Sequence, residues 1–393
     1  MSAREALLAD VADFLTTHDP ASTPVLDWLR ARYDAGLAWV HFPAGLGGRG
    51  LPRSLQLDVD AAFKAADAPD NRHQANTIGL GMAAPTILAF GNLAQQQRHL
   101  RPLWTGEEIW CQLFSEPGAG SDLAALATRA VRSGDGWVVN GQKVWTSGAH
   151  NAEWAILLAR TDPDLPKHAG LTYFLCPMTA PGIEVRPLRQ ITGEAEFNEV
   201  FLTDVHLSDE CRLGDVGDGW RIATATLSNE RVAIGDGPAQ REDGMIGIVA
   251  SNWREHPERR THELHERLLA LWVEAEVARL ASVRLAQKLA AGQPGPEGAA
   301  MKLTFARISQ DLSGLDLELS GPDGLRYDDW TMTRPEGVHF LGRDAGYRYL
   351  RAKGNSIEGG TSEILRNVLA ERVLGLPSEP RVDRHLPWKE LER

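Results

Sequence analysis

The chain has 393 residues, 43% of them hydrophobic, enough for two or three packed units, each with its own core. Its formal net charge of −12, from 53 acidic and 41 basic residues, comes without any Lys/Arg-rich run, which argues against nucleic acid or an anionic membrane surface as the main partner. Three cysteines, Cys111, Cys176 and Cys211, are too few and too scattered for a disulfide framework or a zinc cluster, so no metal is expected and a reducing cytoplasmic compartment is the natural setting.

In chain order, the first segment opens on a capping-box pattern, Ser2 with Glu5, followed by Leu7, Val11 and Phe14 at helical spacing. It lacks the apolar core of a secretory signal and is too acidic for a transit peptide. No later stretch reaches the ~20 apolar residues of a membrane span. Residues 1–110 read as helices punctuated by the loop FPAGLGGRGLPRS and by GNLAQQQRHLRPL, whose polar residues suit an exposed helix entry. Residues 111–215 read as a β unit: FSEPGAGSD is loop chemistry, WVV-NG-QKVW predicts a hairpin turning at Asn140–Gly141, and GLTYFLCPM, GIEVRPL and NEVFLTDVHL are further short strands. From 216 to 393 helical spacing returns, with one stripe over Leu264, Leu268, Leu271 and Ala275 and another over Phe305, Ile308, Leu312, Leu315 and Leu319; GQPGPEG is expected to fold these two helices back antiparallel. The expected fold class is α+β, with an N-terminal α-helical domain, a small middle β-barrel or sandwich domain and a C-terminal four-helix bundle.

Some motifs carry no chemistry. GLGGRG at 45–50 fits G-x-G-x-x-G, but no βαβ pattern surrounds it. HELHE at 262–266 spaces its histidines three apart, not the four that would aim both at one zinc ion. A G-x-S-x-G elbow and a Walker loop are both missing, which removes the common acyl- and phosphoryl-transfer readings.

Four segments carry more. SEPGAGSD offers closely spaced backbone N–H groups freed by glycine together with the Ser115 and Ser121 hydroxyls, suited to a ring edge and a pyrophosphate, though a plain loop would read the same. KVWTSGA places Trp145 two residues before Ser147, an aromatic face beside a hydroxyl. In a chain with 12 tryptophans a core role competes. In TLSNERVAIG, Ala223, Leu227, Glu230 and Ile234 share one helical face, so Glu230 falls in an apolar stripe. A carboxylate there is costly unless paired, for instance with Arg231, or functional, and desolvation would raise its pKa toward that of a general base. Finally, GGTSEI sits before the last long helix.

The order and spacing of CQLFSEPGAGSD at 111–122, NGQKVWTSGA at 140–149 and IEGGTSEILRNVLAERVLGLP at 357–377 resemble the acyl-CoA dehydrogenase family over about residues 25–377. The wording is most similar to that of actinobacterial members acting on fatty or sterol-derived acyl groups. The resemblance implies FAD as cofactor and α,β-dehydrogenation of an acyl-CoA thioester. By the same resemblance Ser121 holds the pyrophosphate, Ser115 lines the flavin, Trp145 packs on the ring, Ser147 bonds the ring nitrogen that receives hydride, and Thr361 and Glu363 touch the cofactor. Many members carry the catalytic glutamate in Tyr-Glu-Gly-Thr, where this chain has Gly359, with Glu358 one residue away. A second solution within the family places the base before an arginine on the first helix of the C-terminal domain, which Glu230 and Arg231 match; the Gly359 N–H would then still grip the thioester oxygen.

Where relatives often have Gln-x-x-Gly-Gly-x-Gly for the adenine end of FAD, this chain has Glu318-Leu319-Ser320-Gly321-Pro322-Asp323-Gly324. The resemblance implies as partners an acyl-CoA substrate and electron-transfer flavoprotein or a similar acceptor, and, because the adenine site of relatives spans two subunits, either further copies of the chain in a dimer or tetramer or a second chain in an α2β2 complex. The competing functions are an oxidase or flavin monooxygenase of the same fold and a degenerate subunit of such a complex.

Overall fold

The computed structural model describes residues 2–71, 74–233, 240–290, 297–327, 330–335, 340–378, 380 and 383–391, without the side chains of 229–233, 289–290 and 297. It is α+β. Helices α1 (Ala3–Thr17), α2 (Val25–Asp34), α3 (Gln56–Ala65), α4 (Ala84–Phe90) and α5 (Leu93–Thr105) come first. At the start of α1 the Ser2 hydroxyl accepts from the Glu5 N–H at 3.2 Å while the Glu5 carboxylate accepts from the Ser2 N–H at 2.7 Å. Asn92 and Gln95 cap α5 in the same reciprocal way, so both predicted helix starts satisfy donors that would otherwise be orphaned. GLGGRG is a loop in which Gly45, Gly47 and Gly50 take positive φ.

The strands are β1 (Trp110–Leu113), β2 (Arg129–Ser133), β3 (Gly136–Ser147), β4 (Trp154–Arg160), β5 (Leu171–Pro177), β6 (Ile183–Pro187), β7 (Phe197–Ser208) and β8 (Arg212–Leu213). They form one sheet in the order β6-β7-β3-β2-β4-β5-β8, with β1 pairing β4 off that path. β2 and β4 meet only where Arg129 pairs Arg160, so the sheet consists of two halves hinged at that point. Both halves feed one buried cluster that includes Leu113, Val139, Leu157, Phe174, Val200 and Val205. β4 is buried on both faces. Ala155, Leu157 and Ala159 point into that cluster, while Ile156 and Leu158 join the core of the N-terminal helices with Trp28, Phe63, Leu100 and Trp104, as the two-residue period of a strand requires.

One expectation fails here. Asn140–Gly141 is not a turn, because β3 runs straight through it, and the two-residue loop of the β2–β3 hairpin is Gly134–Asp135. Gly141 is glycine because the strand passes so close to Thr128 that a Cβ would stand 2.2 Å from its Oγ1. Asn140 instead braces a bulge in β7 at Asp204, which has φ 48°, through two side-chain bonds of 3.0 Å.

The remaining helices are α6 (Gly219–Ala233), α7 (Met245–Glu255), α8 (His262–Ala290), α9 (Glu297–Ser320), α10 (Ala345–Ala352) and α11 (Ser362–Arg372). Leu268 and Leu271 of α8 pack with Ile308, Leu312, Leu315 and Leu319 of α9 and with Val249 of α7, and Leu264 and Ala275 lie against this cluster. Phe305, expected in the same stripe, is 49% exposed. At the start of α9 the inward positions are Lys302 and Ala306 instead. Most of the GQPGPEG loop lies outside the described residues. Among them, no helix is long and apolar enough to cross a membrane.

Candidate functional site

Trp145 sits at a bulge. β3 pairs β7 at Lys143↔Val200 and resumes at Thr146↔Asn198, so β3 carries one residue more than its partner. Trp145 takes φ 59°, a conformation costly for a bulky residue and found chiefly where function requires it. The bulge turns the ring out of the sheet, 58% exposed, in a T-shaped contact with Phe197 at 5.8 Å between ring centres. Ser147 is exposed beside it, and no heavy atom lies within 4 Å of where a side chain would start at Gly118, Gly120 or Gly148. An exposed aromatic ring, a hydroxyl two residues on and an uncrowded Gly148 beyond it together fit a planar ring system such as FAD. Trp145→Ala is expected to weaken flavin retention while lowering apoprotein stability by much less than the ~3–5 kcal/mol of a core aromatic truncation. Flavin content after gel filtration and urea unfolding of the apoprotein measure the two effects separately.

The SEPGAGSD loop is fastened beneath this face by groups that sequence reasoning missed. Lys143, fully buried, donates its three N–H groups to Phe114 O, Leu158 O and Glu116 Oε1, each at 2.9 Å. The other Glu116 oxygen accepts from the Ala127 N–H at 2.7 Å, and Oε1 also accepts from Thr128 N–H at 2.9 Å. Burial pushes the Lys143 ammonium below its ordinary range against the pull of Glu116. Burial would raise the Glu116 carboxyl, but Lys143 and the hydrogen bonds hold it low. The signal lay in strand parity: Lys143 shares the inward face of Trp137, Val139 and Gly141. The Ser115 carbonyl accepts from the Val144 N–H at 2.9 Å, which ties the loop to β3 one residue before Trp145. Ser121 is exposed on the same loop.

The second part of the site is the loop after α10. Gly359 takes φ 60° and Gly360 φ 93°, and buried Lys302 of α9 holds the Gly360 carbonyl and the Asn355 carbonyl, each at 2.7 Å. Glu358 is held by Arg351 through two bonds of 3.1 and 2.9 Å. Thr361 caps α11, its hydroxyl accepting from the Ile364 N–H at 3.3 Å, and Glu363 is exposed near Arg366 at 3.6 Å.

Glu230 and Arg231 lie in the last turn of α6, but their side chains are outside the described residues, as is Ile234 of the predicted stripe. The rest of the stripe is inward: Ala223 is buried and Leu227 packs against the N-terminal core. One turn before Glu230, buried Thr226 donates to Ile222 O at 2.9 Å and lies 2.9 Å from the Thr86 hydroxyl and 3.1 Å from the Tyr173 hydroxyl, so α6 is tied to both α4 and β5.

The segment in place of the adenine motif is engaged within the chain. Glu318 pairs with Arg267 at 2.6 and 2.9 Å, the Ser320 hydroxyl accepts from Asn252 at 3.1 Å and Asp323 lies 3.6 Å from Arg259. Ser320 and Asp323 line a cleft of about 770 Å³ in which Glu242, Asp243 and Glu255 face Arg259 and Arg348, so its lining carries both charges. Among the described residues no cluster of His, Cys, Asp or Glu could hold a metal ion.

The acyl-CoA dehydrogenase middle-domain family model matches residues 111–205, and the acyl-CoA dehydrogenase C-terminal-domain model matches residues 217–374. Acyl-CoA dehydrogenase FadE34 of Mycobacterium tuberculosis is 43% identical over 88% of this chain, which spans only 45% of that longer protein. Acyl-CoA dehydrogenase IpdE1 of the same organism is 39% identical over 90% of this chain and 88% of its own length. Among solved structures, the ChsE4-ChsE5 complex from Mycobacterium tuberculosis superposes with a TM-score of 0.69 at 26% identity, covering 96% of this chain and 99% of that one.

Proposed function

The chain belongs to the acyl-CoA dehydrogenase family of FAD flavoproteins, and on that premise we propose that it oxidises an acyl-CoA thioester between its α and β carbons. The observation that carries this reading is the strained, outward-turned Trp145 with Ser147 beside it, a surface with no structural use of its own. In this assignment Ser115, Ser121, Trp145, Ser147, Thr361 and Glu363 hold the cofactor. Bound FAD supplies the acceptor for the β hydride. Glu230, with Arg231 next to it, takes the α proton, and the Gly359 N–H donates to the thioester oxygen as enolate-like charge builds there. The bidentate engagement of Glu358 by Arg351 supports the choice of Glu230, because both Glu358 oxygens are already committed to a guanidinium.

Electrons would leave to electron-transfer flavoprotein or a similar acceptor. The chain would work as an oligomer, either homomeric or α2β2. The internally engaged Glu318–Gly324 segment supports a second chain that completes the adenine site, and an exposed stripe of Leu269, Val273, Val277 and Leu280 along α8 supports a helix-to-helix interface. The three cysteines are free, in keeping with a reducing cytoplasm. The purified protein, alone or with its partner chain, is expected to show flavin absorption bands that an acyl-CoA bleaches without oxygen. A protein that stays colourless after FAD reconstitution in both states overturns the reading.

A further inference from the structure

Arg351 of α10 is placed to join the two halves of the site. Its side chain is 10% exposed. The two terminal nitrogens grip Glu358, the residue before Gly359, at 3.1 and 2.9 Å. On its other side Nε stands 3.4 Å from Glu196 Oε1, and the guanidinium carbon lies 5.9 Å from the centre of the Phe197 ring. Phe197 is the ring that Trp145 meets edge-on, at 5.8 Å and 84°. The Glu196 carbonyl accepts from the Gly148 N–H at 2.9 Å, immediately beyond Ser147. One cation therefore touches, through single intermediaries, both the strand end that presents Trp145 and the loop that presents Gly359.

We propose that Arg351 is a positioning residue that keeps the ring-stacking face at Trp145 and the thioester-binding N–H of Gly359 in register, through Phe197 and Glu196 on one side and Glu358 on the other. The proposal rests on the dehydrogenase reading given above. A guanidinium suits this task because its planar fork can meet two carboxylates and a ring face at once, whereas an ammonium is a single point charge. The electrostatics point the same way. Glu196 is 4% exposed and neither of its oxygens has a hydrogen bond. Burial, with Glu358 and Glu194 adding to it, pushes its carboxyl above the ordinary range, while Arg351 opposes this. Without Arg351, Glu196 would be a buried carboxylate with no cation paired to it among the described residues, an arrangement proteins avoid. Proton abstraction and hydride transfer need one aligned geometry, and a misplacement of ~1 Å can cost ~10²-fold in rate, so register between these two surfaces is a catalytic requirement.

The test uses Arg351→Lys and, in case that variant folds poorly, Glu358→Ala, which cuts one arm at a half-exposed position and leaves Arg351 beside Glu196. Two readouts are compared with the parent. One is amide hydrogen exchange at Ile357 and Glu358, whose N–H groups bond Gly354 O at 2.8 and 3.0 Å, and at Gly148. The other is anaerobic flavin reduction, separated into limiting rate and half-saturating acyl-CoA. Glu358→Ala is expected to speed exchange at 357 and 358 but not at Gly148, and to lower the limiting rate by ~10-fold or more with little change in half-saturation. Arg351→Lys is expected to speed exchange on both sides. Parental exchange in both variants overturns the proposal, and so does faster exchange with an unchanged limiting rate, which would reduce Arg351 to a structural role. A parent protein that acyl-CoA fails to bleach sinks the dehydrogenase reading alone, because the exchange arm reports register without substrate.

Discussion

Glu230→Gln is expected to abolish flavin reduction by acyl-CoA while leaving flavin content unchanged. The amide matches the carboxylate in size but cannot accept a proton near neutral pH, and loss of a general base costs ~10²–10⁴ in rate. The residue stands one turn beyond Thr226, whose hydroxyl is fully accounted for: it donates to Ile222 O, leaving its lone pairs for the Thr86 and Tyr173 hydroxyls. That buried junction fixes α6 against α4 and β5, so the helix that carries the proposed base is anchored independently of Glu230 itself, and the substitution should not disturb it. Glu358→Gln, which keeps one oxygen for Arg351 to grip, is expected to lose less than about tenfold. Stopped-flow reduction of the two variants under anaerobic conditions decides between them. A dead Glu358→Gln beside a normally reduced Glu230→Gln would move the base to the C-terminal loop.

Lys143→Met is expected to lower stability by ~3–5 kcal/mol, the usual consequence of removing one member of a buried ion pair. The ammonium has 0% side-chain exposure and Glu116 only 8%, so water cannot replace the lost partner. The substitution also leaves the Phe114 and Leu158 carbonyls without their donor. Glu116 would keep its bonds to the Ala127 and Thr128 N–H groups but lose the cation that holds its carboxyl low, so its pKa should rise. The SEPGAGSD loop hangs from this pair, and flavin retention should fall with stability. Urea unfolding of the apoprotein gives the first quantity. A loss below ~1 kcal/mol would place the pair in the class of solvated surface bridges.

Much of the site is written locally in the chain. The helix starts at Ser2 and Asn92 are readable because a cap is a contact between residues three apart, and the packing of Leu268 and Leu271 against Leu312, Leu315 and Leu319 is readable because a helix repeats its inward face at a fixed period. The three segments that carry the resemblance are likewise contiguous text. Glu230 could be singled out from the apolar neighbours on its own helical face, even though its side chain lies outside the described residues.

What the tertiary structure alone decided depends on segments far apart in sequence. Asn140–Gly141 has the composition of a tight turn, yet Thr128 crowds Gly141 and the Asp204 bulge uses the Asn140 side chain, so the strand continues. Trp145 could have been a core tryptophan; an extra residue in β3 relative to β7 turned it outward. Glu358 could have been a free base until Arg351 was seen to hold it, and nothing in the local text of Arg351, Glu196 or Phe197 announces that they meet. The sequence by itself singled out the candidate residues, because periodicity, capping and motif spacing act within a few residues. The fold decided which of the described ones are paired and which are exposed, because burial and charge pairing are set by contacts that close only when distant strands, loops and helices pack together.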